Sequence, residues 1–148
     1  MEIDKKEQRR QVGIEQAKMF EEALKTLEQV QIETSHLIHG KMYARTIFIP
    51  AGTALTGVLT KLDNICIVLG DISVTTDDGV VRLTGYNILP ATKGYKRVGY
   101  AHSDSYWTTL IPTEKTTVEE IENEMSDESH LLQSRQITQI EGSVETET

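Results

Sequence analysis

Tyr43-Ala-Arg-Thr-Ile-Phe-Ile49, followed at once by Pro50-Ala-Gly52, is the stretch whose reading decides the fold. Apolar and polar residues alternate in it as in a half-buried strand, and Pro-Ala-Gly turns the chain. The same grammar continues to Pro112. Residues 53–59 are β-rich, Lys61-Leu-Asp-Asn64 is a polar break, and Ile65-Cys-Ile-Val-Leu69 is continuously apolar, as in a central strand buried on both faces. Gly70-Asp71 reads as a tight turn into 72–76. Asp77-Asp-Gly79 reads as a hairpin whose glycine supplies a positive φ. Residues 80–84 return, Gly85 precedes Tyr86-Asn-Ile-Leu89, and Pro90 ends that strand. With 97–101 and 106–111 the count reaches about eight strands at the spacing of a sandwich or barrel. Ile65, Ile67, Val68, Ile72 and Trp107 are expected to share its core.

The flanks are different in kind. Residues 7–31 are mostly strong helix formers. Ala17, Phe20, Leu24 and Leu27 fall at helical 3/4 spacing with Ile14 and Ala23 beside them. That seam must be buried, either on the chain's own β-domain or between subunits. Beyond Pro112, Thr117-Val-Glu-Glu120 is a capping box with Thr117 as N-cap, and the helix it opens should end near Met125. From Ser126 the composition turns to Ser, Thr, Gln and Glu, with Leu131, Leu132, Ile137 and Ile140 scattered through it. The expected organisation is a helical arm over 1–35, a β-domain over 36–112, and a short helix with an extended acidic tail over 113–148.

Composition limits the function. The 148 residues are 38% hydrophobic, enough for one core and not two. No apolar run approaches a membrane span, and Met1-Glu-Ile-Asp-Lys-Lys lacks the apolar region of a secretory signal. Cys66 lies in an apolar run and reads as a small buried hydrophobe in a protein made in a reducing compartment. Residues 114–148 hold ten acids against two bases, so the net charge of −8 is the charge of that segment. Without a basic patch, phosphate neutralisation and hence non-specific nucleic-acid binding are not expected. Lys93, Lys96 and Arg97 are the one local basic cluster and read as a solvated loop beside Gly94.

Ile49-Pro-Ala-Gly-Thr53, Ile67-Val-Leu-Gly-Asp-Ile-Ser-Val74 and Leu89-Pro-Ala-Thr-Lys-Gly-Tyr-Lys-Arg97 resemble the cupins. More narrowly, the ordered series Tyr43-Ala-Arg45, 49–53, 70–74, 96–101 and Trp107-Thr-Thr109 resembles small cupin-like proteins encoded by tailed phages and prophages. The likeness covers about residues 36–125. It implies a mainly β, cupin-like jelly-roll sandwich carrying an N-terminal helix and a short C-terminal helix. It also implies a structural or assembly role in a phage particle, as a decoration, collar or tail component. On that reading the chain is made in the host cytoplasm and resides in the virion. It is a homo-oligomer touching other virion proteins, with no direct nucleic-acid or membrane contact. Ala17, Phe20, Leu24, Leu27, Leu131, Leu132, Ile137 and Ile140 are its candidate interface.

Metal-binding cupins supply two or three histidines and a glutamate from facing strands, converging on one ion with an open position. Residues 53–70 hold neither residue type, and the position three after Gly94 is Arg97. No cofactor is therefore expected, and the domain reads as a degenerate, metal-free cupin. His36 and His39 read as surface-turn residues, His102 as a hairpin-loop residue and His130 as part of the tail. No nucleophile motif or phosphate-binding glycine loop is present. The chain is thus read as a non-enzyme. The alternatives are a small-molecule- or carbohydrate-binding cupin, an enzyme included, with Tyr43, Arg45, Arg97 and Tyr100 at the barrel mouth, or a phage protein acting on a host partner.

Overall fold

The computed structural model describes residues 2–131 apart from 28, 58, 77 and 95. Helix α1 spans Glu2–Leu24. The strands are β1 (Glu33–His39), β2 (Met42–Ile49), β3 (Ala54–Thr56), β4 (Asn64–Thr76), β5 (Gly79–Ala91), β6 (Val98–Ala101) and β7 (Ser105–Pro112). Helix α2 covers Val118–Met125, and a single 3-10 turn follows at Ser129–Leu131. No helix among the described residues is long and apolar enough to cross a membrane.

All described strand pairs are antiparallel and form one curled sheet, a half-barrel. The long hairpin β4–β5 runs through both halves of the curl. One edge of β4 takes β7 along 65–69 and β6 along 72–74, so the sheet divides there into a β1-β2-β7 wing and a β6-β3 wing. The division falls at Gly70, with φ at +142°. A Cβ at Gly70 would stand 2.8 Å from the Ser105 Cα, and the Ser105 hydroxyl accepts the Asp71 amide at 3.1 Å. Only glycine lets the backbones approach so closely.

Gly70-Asp71 is therefore no turn, and 65–69 and 72–76 are one strand. Pro90 likewise lies inside β5, whose second edge carries no strand among the described residues, so its missing N–H breaks no ladder. These mergers, with β1 added, replace the expected eight strands by seven among the described residues. The central strand is buried on one face only. Cys66, Val68, Ile72 and Val74 point inward, while Ile65 and Leu69 are about half exposed. Of the expected core, Val68 and Ile72 are buried and Trp107 packs against them; Ile65 and Ile67 face outward.

Two clusters fill the concave side. Ile49, Cys66, Val68, Ile72, Val74, Leu83, Ala91 and Ala101 line the curl. Tyr43, Ile111, Ile121 and Met125 close its lower end under α2. The capping box is present: the Thr117 hydroxyl accepts the Glu120 amide at 3.3 Å and donates to the Glu120 carboxylate at 2.8 Å. The Pro50-Ala-Gly52 turn and the positive φ of Gly79 are also as read.

Helix α1 runs earlier than 7–31 and ends at Leu24. It packs against β3, and its less exposed face carries Arg10, Ile14, Ala17, Glu21 and Leu24. Phe20 faces solvent, and Leu27 lies beyond the helix end with 61% of its surface exposed. The expected seam is rotated because a polar anchor overrides it. The Glu21 carboxylate accepts the Thr56 hydroxyl at 2.9 Å and lies 3.2 Å from the Lys96 ammonium. Lys96 is not in a solvated loop. Its side chain has no exposed surface, and it also donates to Glu128 at 2.8 Å and to the Gly57 carbonyl at 3.0 Å. Leu132, Ile137 and Ile140, and the side chain of Leu131, lie outside the described residues.

Candidate functional site

The concave face of the curl forms a cavity of about 510 Å³ that is open to one side. Its wall comes from alternate residues of neighbouring strands. β2 gives Arg45, Ile47 and Ile49; β7 gives Trp107 and Thr109; β4 gives Cys66, Ile72 and Val74. The register explains the convergence, since Arg45 stands opposite Thr109 and Thr109 opposite Cys66. Leu55 and Gly99 form the far wing, Met125 of α2 the floor, and Glu21 and Leu24 of α1 with Lys25 just beyond it the rim. The helical arm is thus part of the site. A cavity of this size, mostly apolar with a few convergent polar groups, suits a small organic ligand.

Two arginines reach this wall. The Arg45 guanidinium lies 2.7 Å from the Glu122 carboxylate, with both side chains nearly excluded from solvent. Its charge is thereby compensated from below, by α2. Arg97 donates to the Thr75 carbonyl at 3.2 Å, and its charge is felt at Cys66. Burial pushes the Cys66 thiol up, against smaller opposing effects of Arg97, Trp107 and Thr109. The thiol donates to the Asn64 side-chain oxygen at 3.4 Å. Such a group stays protonated near neutrality and is a poor nucleophile.

Of the four barrel-mouth candidates, Arg45 and Arg97 line the cavity and the two tyrosines do not. Tyr43 is fully buried beneath it, its hydroxyl 2.6 Å from His36 Nδ1. Burial raises the Tyr43 pKa and lowers that of His36, so burial favours the neutral form of both members of the pair. Tyr100 points out from β6, edge-on to His102.

His36 is not a turn residue. It lies on β1 at half burial, and His39, three residues on, takes the opposite, exposed face. The turn is Gly40-Lys41, both at positive φ. His102 lies in the connection between β6 and β7, which pair with β4 and not with each other, so that connection is no hairpin. Its Nε2 lies 2.7 Å from the Ser73 hydroxyl, on the outer surface. The nearby Asp71 carboxylate accepts from Nε and one terminal nitrogen of Arg82, each at 2.8 Å. Among the described residues no group of three or more His, Cys, Asp or Glu is placed to hold a metal ion.

The sequence reading missed Trp107, Thr109 and Cys66 as wall residues, and the rim from α1. Strand alternation was the available signal for the first three, because they share a face with Arg45 once the β2-β7-β4 order is known.

No protein-family model matches the chain. No curated protein matches it. Among solved structures it is similar to a cupin superfamily protein from Desulfitobacterium hafniense DCB-2, at 12% identity and TM-score 0.48, covering 60% of this chain and 83% of that one. It is similar to KdgF from Halomonas sp. at 18% identity and TM-score 0.48, covering 60% and 86%. It is similar to the Cnp3 cupin domain of Schizosaccharomyces pombe at 17% identity and TM-score 0.46, covering 70% and 74%. The mainly β, curled antiparallel architecture stands on the chain's own strand pairing.

Proposed function

We propose that the protein is a binding module for a small, largely apolar molecule bearing an acidic group, held in the concave cavity. The observation that carries this is the composition of the wall. Ile47, Ile49, Leu55, Ile72, Val74 and Trp107 offer apolar surface, while Arg45, Arg97 and Thr109 line the same wall and the Arg97 charge acts on Cys66. An acidic head placed there gains charge-assisted hydrogen bonds. Binding is proposed over catalysis because burial raises the pKa of the cavity thiol and makes it a poor nucleophile.

Trp107 is the chain's single tryptophan, so its fluorescence reports on the cavity directly. Titrating the full chain with decanoate, an aromatic carboxylate and their neutral amides should give saturable quenching, with the acids bound at least about tenfold more tightly, about one charge-assisted hydrogen bond's worth. Equal affinity for acids and amides would remove the acidic-head assignment. No saturable response to any of them would remove the binding reading.

A second reading, a building block of a tailed-phage particle, is kept on one supporting observation. The convex sheet face carries a broad, almost uncharged surface of the kind that subunit contacts use. Mass spectrometry of purified particles tests it.

A further inference from the structure

The convex face of the β1-β2-β7-β4-β5 wing is read row by row from the register. One cross-strand row is Leu37, Ala44, Leu110, Ile65, Pro90. The next is Ser35, Thr46, Thr108, Ile67, Ile88. The third is Glu33, Phe48, Tyr106, Leu69, Tyr86. Across five strands the only charged residue is Glu33, at one corner. Several of these side chains are open to solvent: Leu37 is 63% exposed, Ile88 60% and Tyr86 64%. Neither helix covers them. Helix α1 packs on β3, and α2 packs under Tyr43 and Ile111 on the concave side.

We propose that this face is a homodimer interface, its occupant the same face of a second copy. Three observations choose that partner. The first is charge. Two chains of net charge −8 repel wherever acidic surface meets acidic surface. The convex face is the approach that buries almost no charge. A nearly uncharged patch is also self-complementary, as a two-fold interface requires, because it needs no opposite charge on its partner.

The second observation is polar satisfaction. The hydroxyls at the centre, Thr46 and Thr108, hydrogen-bond each other at 2.7 Å, so burying them leaves one hydroxyl hydrogen, not two, to find an acceptor across the interface. The tyrosine hydroxyls lie in the outermost row, where a rim stays wet. The third is size. Five strands at about 4.8 Å and five residues at about 3.4 Å cover roughly 24 by 17 Å, about 400 Å² in projection. That fits the apolar centre of a stable dimer burying about 800 Å² per partner. Sheet-on-sheet packing about 10 Å apart then completes a sandwich, with each ligand cavity on the outer side of its own curl.

The test is sedimentation equilibrium of the full chain across micromolar concentrations. The expected mass is twice the 16.6 kDa of one chain. Ile88→Glu and Leu69→Glu should each weaken dimerisation at least about 100-fold, as hot-spot changes do, with far-UV circular dichroism unchanged. Ile88→Glu mixed with Ile88→Lys should recover dimer that neither forms alone. If Ile88→Glu fails to fold, the 63% exposed Leu37, changed to Lys, replaces it. A monomeric full chain, whatever else covers the face, overturns the proposal, and so does a dimer that all these variants leave intact. Trp107 titration run alongside separates this outcome from the cavity reading, since monomeric variants should still bind ligand.

Discussion

Lys96 and Glu21, far apart in the chain, meet at 3.2 Å with the lysine side chain fully buried. The contact fixes α1 at the rim of the cavity. Glu128 adds the C-terminal segment on the other side of the same ammonium, at 2.8 Å, while its carboxylate also accepts the Leu59 amide at 2.8 Å. Three remote segments are thus tied to one cation whose donors are all engaged.

Replacing Lys96 by Met should therefore cost about 3–5 kcal/mol, because two carboxylates are left without their counter-charge in a sheltered site. Urea unfolding followed by circular dichroism measures it. A loss under about 1 kcal/mol would mean that the cluster is a wet surface pair.

The Arg45–Glu122 pair should behave in the same way, with a diagnostic difference. Glu122→Ala leaves a nearly buried guanidinium without its 2.7 Å partner and should cost about 3 kcal/mol or more. The double change Arg45→Met, Glu122→Leu should recover most of that, since no charge then remains to bury. A double variant as unstable as the single one would show that packing of α2, and not charge, is at stake.

His36 gives a pH dependence. Burial first, then the Arg45 charge, lowers its pKa below the ordinary 6.5, with Glu122 opposing. The stability this brings is complete above about pH 6.5 and declines as pH falls from there toward the folded-state value. Glu128 behaves differently. Burial would raise it, but hydrogen bonds from Lys96 and the Leu59 amide hold it below the ordinary 4.5, so its contribution is lost only below that pH. His36→Gln should flatten the fall in unfolding free energy that begins below about pH 6.5 and leave the separate fall below pH 4.5. An unchanged profile in the upper window would assign it to another group.

Local signals in the sequence were read correctly because their partners are local. Thr117 and Glu120 are three residues apart, and the capping box they form needs nothing else to exist. The turns at Gly52 and Gly79 are the same case. Gly70 was misread because its glycine is required by Ser105, which belongs to another strand, and not by a turn. Lys96 was misread because the groups that bury it, Glu21 and Glu128, come from opposite ends of the chain. Strand parity sorts the barrel-mouth candidates: Gly99 and Ala101 face in, so Tyr100 between them faces out. Tyr43 shares its inward face with Arg45 but is sealed by α2, and nothing local announces that.

The one-faced central strand has its own test. Ile72→Ala, at a position 1% exposed, should cost about 2–5 kcal/mol through the cavity it leaves. Ile65→Ala, at 48% exposed on the convex face, should change the stability of the monomer by no more than about 0.5 kcal/mol. Equal losses would return the strand to burial on both faces.

The central claim is that the concave cavity holds a ligand, and filling that cavity tests it most directly. Thr109 faces the cavity between Arg45 and Cys66, so Thr109→Phe should occupy the space while the sheet register persists. Trp107 fluorescence is titrated with the best acidic ligand for the wild type and for this variant, with thermal unfolding checked for both. The account predicts one saturable site per chain in the wild type and its loss in a folded Thr109→Phe protein. A folded variant that binds as tightly as the wild type would place the ligand elsewhere and contradict the account.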